Sequence, residues 1–173
     1  MLKSFTNLTQ GPLLVWCLKA SALAALIGII FLFVFYGIYL GSGNLNIFGP
    51  LNDIAVVIQY LLMLPLLFAF HERLKHKHST MSLLSLIVGL IGMLGVIILQ
   101  AMLILGLLPF AQQVGIVSIF FFITLAWFLI NRSLDSEGGF LPSSLVLTVF
   151  AGLVFGYPLW AWNLASTLRD DMS

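Results

Sequence analysis

Charge is scarce in this sequence. Its 173 residues include 7 Lys and Arg and 6 Asp and Glu, so charged residues make up 8% of the chain, against roughly 25% in a soluble globular domain. So few charged side chains cannot cover the core of a soluble protein this size. A disordered chain needs low hydrophobicity and high charge, so that class is excluded too. The formal net charge is +1, and no basic run is long enough to form a nucleic-acid face, so no nucleic-acid partner is expected. Cysteine is scarcer still. Cys17 is the only one; it can neither close a disulfide within the chain nor build a thiolate metal site alone. There is also no phosphate-binding glycine loop, no nucleophile elbow, and no serine–lysine or paired-aspartate arrangement at intramembrane depth. No catalytic residue, cofactor or metal is therefore expected, and Ser21, Ser118 and Thr124 read as hydroxyls satisfied within their own helices.

Hydrophobic residues, in contrast, reach 61%. With lipid as the solvent, apolar side chains can point outward and the shortage of polar cover disappears. A bilayer core of about 30 Å needs about 20 apolar residues in a helix. Five stretches meet or approach that length, at 20–40, 51–70, 81–108, 114–130 and 141–162. The first is too long for the apolar region of a secretory signal, about 7–15 residues, and reads as a retained helix that can begin as early as Pro12. The third would reach about 42 Å as a helix and should tilt or protrude. The fourth is the shortest. Pro109 with Gln112 and Gln113 marks a turn between the third and fourth. The expected fold is an all-α, polytopic membrane helix bundle with five transmembrane helices, forming one domain over 1–173.

The positions of Lys and Arg in short loops set the orientation. Lys3, Lys19, Arg73, Lys75, Lys77 and Arg132 fall on the side of the N-terminus, and Arg169 alone falls on the other. The N-terminus is expected in the cytoplasm and the C-terminus outside. Trp160 and Trp162 are expected near one membrane surface, as interfacial tryptophans tend to be.

The second stretch carries the most information. Asn52 and Gln59, like Asp53 and Tyr60, stand seven residues apart and so lie on nearly one side of a helix. Lipid would not accept that stripe, so it should face the bundle interior. An ionisable residue in a span is a candidate functional group. One reading makes Asn52, Asp53, Gln59 and Tyr60 a ligand or proton site opening outward. The other makes Asp53 a first-turn carboxylate offsetting the helix dipole, with the rest as interhelical hydrogen bonds. Pro65 follows on the same helix and is expected to kink it. Gln100, deep in the third stretch, needs a partner, and Gln59 or Tyr60 is expected to supply it.

His71, His76 and His78 in HERLKHKH do not follow the H-E-x-x-H zinc spacing. They read as part of a basic juxtamembrane loop held against anionic lipid. Small residues mark close helix contacts: Ser82, Ser85, Gly89, Gly92 and Val96 on one face, and Thr148, Gly152 and Gly156 on another. Gly89, Gly92, Gly152 and Gly156 can pack within the bundle, against a second copy, or against another membrane protein.

The GPLND turn opening the second stretch, its LMLPLLF run and the terminal GYPLWAW resemble small multi-pass bacterial membrane proteins of unknown function. The resemblance implies the bacterial cytoplasmic membrane and brings no activity. The expected role is a binding, accessory or assembly component. The alternative is a small transporter or ligand-binding membrane protein using the outward-facing polar site around Asp53.

Overall fold

The computed structural model describes residues 11–44, 46–135 and 156–170. These form five helices: α1 (Pro12–Ser42), α2 (Phe48–Leu74), α3 (Ser79–Ile104), α4 (Phe110–Leu134) and α5 (Tyr157–Asp170). The first four are long and apolar enough to cross a membrane. α5 has only 14 residues, about 21 Å of helix.

Local chemistry sets the helix ends. Pro12 opens α1, where its missing N–H does no harm. Gly43 closes the same helix in the left-handed region at φ 70°, its N–H bonding back to the Tyr39 carbonyl at 2.7 Å. Asn46 then ties the connection together: its Oδ1 accepts from the Phe48 N–H at 3.1 Å, and its Nδ2 donates to the Phe35 carbonyl at 3.3 Å. α2 continues through Pro65 to Leu74. α3 stops at Ile104, before the expected 108, because Gly106 turns into the left-handed region at φ 69° and Leu107 N–H bonds back to Met102. Pro109, in extended backbone, then caps α4, which runs to 25 residues and is no longer the short span expected.

These tight connections make α1 to α4 alternate in direction, and each packs on its chain neighbour. Glycines set the closest approaches. A Cβ on Gly89 would stand 2.5 Å from Leu67 and 2.7 Å from Trp127, and one on Gly92 would stand 2.7 Å from Thr124 Oγ1. Gly89 and Gly92 thus admit α2 and α4 within the chain, and are not free to serve a second protein. Gly156 is also buried, while Gly152 and Thr148 lie outside the described residues. The core runs through Met63, Leu66, Leu67, Phe70, Met93, Val96, Trp127 and Phe128.

The surface inverts the pattern of a soluble protein. Trp16 is 71% exposed, Phe122 69% and Phe33 65%, while Gln59, Gln100, Gln113, Asn131, Ser82 and Ser85 are buried. Apolar groups outside and amides inside is the arrangement hydrocarbon favours. The chain is an integral membrane protein in contact with lipid.

α5 departs most from expectation. GYPLWAW lies at the start of this helix: Trp160 N–H bonds to the Gly156 carbonyl at 3.2 Å, and Pro158 sits in the first turn, which tolerates it. Of the expected span over 141–162, residues 141–155 lie outside the described residues. α5 packs against the first half of α1, with the Tyr157 and Ser21 hydroxyls 2.6 Å apart. Trp160 packs edge-on against Phe128 at 5.1 Å and is buried. Lys19 Nζ lies 5.5 Å from the Trp162 ring centre. Arg169 lies beside Pro12, Val15, Trp16 and Lys19. α5 therefore runs antiparallel to α1, and its last turn reaches the end of the bundle where α1 begins. Among the described residues, Pro12 and Arg169 thus lie at the same end of the bundle. Lys19, Arg73, Lys75, Lys77, Arg132 and Arg169 all gather at this charged end, whereas the turns at 43–47 and 105–109 carry no charged residue.

Candidate functional site

At the uncharged end, the first turns of α2 separate from the ends of α1 and α3 and the start of α4. A cleft of about 400 Å³ opens there. Gly49 brings α2 against α1, with the Phe35 ring 3.1 Å from where a Cβ would stand. Above that contact the cleft is walled by Phe35 and Tyr36 from α1, Asn52 and Asp53 from α2, Ile104 from α3 and Phe110 from α4, with Asn46 at its edge. Phe35 meets Phe110 edge-on at 5.8 Å and stacks on Tyr39 at 5.7 Å. Tyr36, Ile47 and Ile104 are exposed and form the rim.

Among the described residues, Asp53 is the only charged group lining the cleft, and the residue is 9% exposed. Asn52 Nδ2 donates to its Oδ1 at 3.5 Å, the outer limit of a hydrogen bond. Asn52 Oδ1 in turn lies against Gly28, 3.5 Å from a Cβ built there. The dipole-capping reading of Asp53 does not hold. α2 begins at Phe48, so Asp53 stands beyond the first turn, which contains no acidic residue.

The other candidates divide. Gln59 is buried below the cleft, its Nε2 facing Met63 Sδ at 3.8 Å. Tyr60 is buried with its hydroxyl bonded to the Thr124 side chain and its ring 6.0 Å from Phe121. Gln100 pairs with neither. Gln113 Nε2 donates to Gln100 Oε1 at 2.8 Å, so the two buried amides pair with each other inside the bundle. Asn52 and Asp53 thus line the cleft, while Gln59, Tyr60 and Gln100 are buried in the bundle and do not line it. Sequence reasoning missed Phe35, Tyr36, Asn46 and Phe110. The aromatic spacing of Phe35, Tyr36 and Tyr39 was the one available signal, and in an apolar helix it reads as lipid-facing.

At the charged end the polar contacts join helices. Ser82 Oγ lies 2.8 Å from His71 Nδ1 and 3.1 Å from its carbonyl, tying α2 to α3 across their turn. Asn131 Nδ2 donates to Ser85 Oγ at 2.7 Å, and Arg73 meets Asp135 at 3.4 Å. His76 and His78 are exposed. Among the described residues, no three His, Cys, Asp or Glu side chains come together as metal ligands.

No protein-family model, no curated protein and no solved structure matches this chain.

Proposed function

We propose that this is a ligand-binding membrane protein of the bacterial cytoplasmic membrane, with its charged end in the cytoplasm and the Asp53 cleft opening on the outer face. The observation that carries the reading is the cleft itself. Its volume of about 400 Å³ suits a small molecule. Its walls come from four helices, mostly apolar and aromatic, with Asp53, Asn52 and Asn46 as the few polar groups able to orient a guest. The gathering of six basic residues at the other end supports the orientation, since Lys and Arg are retained on the cytoplasmic side. The resemblance of GPLND and GYPLWAW to small bacterial membrane proteins supports the compartment.

On this reading α1 to α4 cross the bilayer and α5 returns to the side from which α1 starts, so the described chain begins and ends in the cytoplasm. Assembly with another membrane protein is the weaker reading, because Gly89 and Gly92, the best packing signals, are occupied inside the chain. Native mass spectrometry of the protein released from its own membrane tests the proposal. A non-lipid molecule at fixed stoichiometry, lost when Ile104→Trp fills the mouth of the cleft, supports it. The same adducts on wild type and variant would argue against it.

A further inference from the structure

We propose that the cleft at the uncharged end takes an organic monocation with an apolar body, its positive charge held against the Asp53 carboxylate. This deepens the ligand-site reading by naming the class of guest, and it rests on that reading.

Asp53 stands alone. It is the only Asp, Glu, Lys, Arg or His between residues 20 and 70, and residues 79–131 contain none. Every described Lys and Arg lies at the far end of the bundle. No cation among the described residues pairs with Asp53, and its hydrogen bond comes from a neutral amide at 3.5 Å. Folding has buried this residue without supplying a counter-ion among the described residues, an arrangement that is costly unless a partner arrives. A cation entering the cleft supplies that partner.

The walls select within cations. Phe35, Tyr36 and Phe110 surround the space with aromatic rings, whose faces attract a positive charge, more strongly where water is excluded. A hard metal ion such as Ca²⁺ or Mg²⁺ would need six or more oxygen ligands, and the side chains lining the cleft offer one carboxylate, two asparagine amides and the Tyr36 hydroxyl. An anion would face Asp53 with no described Lys or Arg lining the cleft. A neutral guest of the same shape would gain the apolar contacts and leave the carboxylate uncompensated. An ammonium carried on an aromatic or alkyl body satisfies both the carboxylate and the rings.

The test uses the full chain in zwitterionic-lipid nanodiscs and three probes on one benzyl scaffold: cationic benzyltrimethylammonium, neutral benzyl alcohol and anionic phenylacetate. Equilibrium binding is measured for wild type, Asp53→Asn, Asp53→Glu and Ile104→Trp. The cation is expected to bind wild type at least about tenfold more tightly than either other probe. Asp53→Asn should abolish that preference while benzyl alcohol binding persists, which shows the cleft intact, and Asp53→Glu should keep part of it. Equal binding of the cation and benzyl alcohol, unchanged in Asp53→Asn, overturns the cation proposal and leaves the cleft as a neutral-ligand site. Failure of all three probes to distinguish wild type from Ile104→Trp overturns the ligand-site reading with it.

Discussion

Gln113 Nε2 donates to Gln100 Oε1 at 2.8 Å, joining the start of α4 to the end of α3 beside the candidate cleft. Each amide is buried, and each would otherwise sit unpaired among apolar side chains. The pair holds the two helix ends whose Ile104 and Phe110 form one wall of the cleft.

Replacing Gln113 by Leu should therefore destabilise the bundle by about 0.6–1.7 kcal/mol, the range of hydrogen bonds between membrane helices. Replacing both glutamines by Leu should recover part of the loss, since no orphaned amide then remains. Reversible unfolding in mixed micelles measures both. A double variant no better than the single would mean that the pair is not the relevant contact.

Gly89 gives a sharper test of packing. Gly89→Val should cost about 1–3 kcal/mol or prevent folding, because its Cβ meets Leu67 and Trp127. Gly115→Ala meets nothing within 4 Å and should be neutral or stabilising by up to about 1 kcal/mol, through the lower helix cost of alanine. Similar losses at both positions in a thermal melt would contradict the packing described.

The position of α5 depends on Tyr157, whose hydroxyl lies 2.6 Å from that of Ser21. Tyr157→Phe removes the bond at a cost of about 0.5–1.5 kcal/mol and should speed cleavage of the C-terminal segment by added protease. An unchanged cleavage rate would mean that packing of Trp160 on Phe128 suffices to hold the helix.

Topology is open to direct labelling. In a Cys17→Ser background, cysteine introduced at Ser166 should react with a membrane-impermeant thiol reagent only after the cells are opened, and cysteine at Asn44 should react in intact cells. Reaction of Ser166→Cys in intact cells would restore the five-crossing arrangement with an external C-terminal end.

Four helices were legible because hydropathy alone separates 20-residue apolar runs from turns holding Gly43, Pro109 or the basic His71 to His78 segment. Asp53 was legible because one charge in a long apolar stretch stands out. The cleft was not: it is made by four helix ends meeting, and Phe35, Ile104 and Phe110 look like any other lipid-facing or core side chain. The partner of Gln100 was missed because Gln113 read as part of a turn, whereas α4 starts earlier, at Phe110. The course of α5 was not legible because an apolar run ending in GYPLWAW resembles the close of a span, and only the approach of the Tyr157 and Ser21 hydroxyls and the place of Arg169 beside Pro12 and Lys19 show a helix running back along α1. Whether Gly89 and Gly92 face inward or toward a partner is likewise a property of neighbours that spacing does not encode.

The most direct test of the central claim is the thermal stability of the purified full chain with and without the small-molecule extract of its own membrane, for wild type and for Ile104→Trp. A ligand held at a hundred times its dissociation constant stabilises the folded state by about 2.7 kcal/mol, enough to raise the melting temperature by several degrees. The account predicts that rise for wild type and none for Ile104→Trp. No rise in wild type, or an equal rise in both, would contradict a ligand site at Asp53.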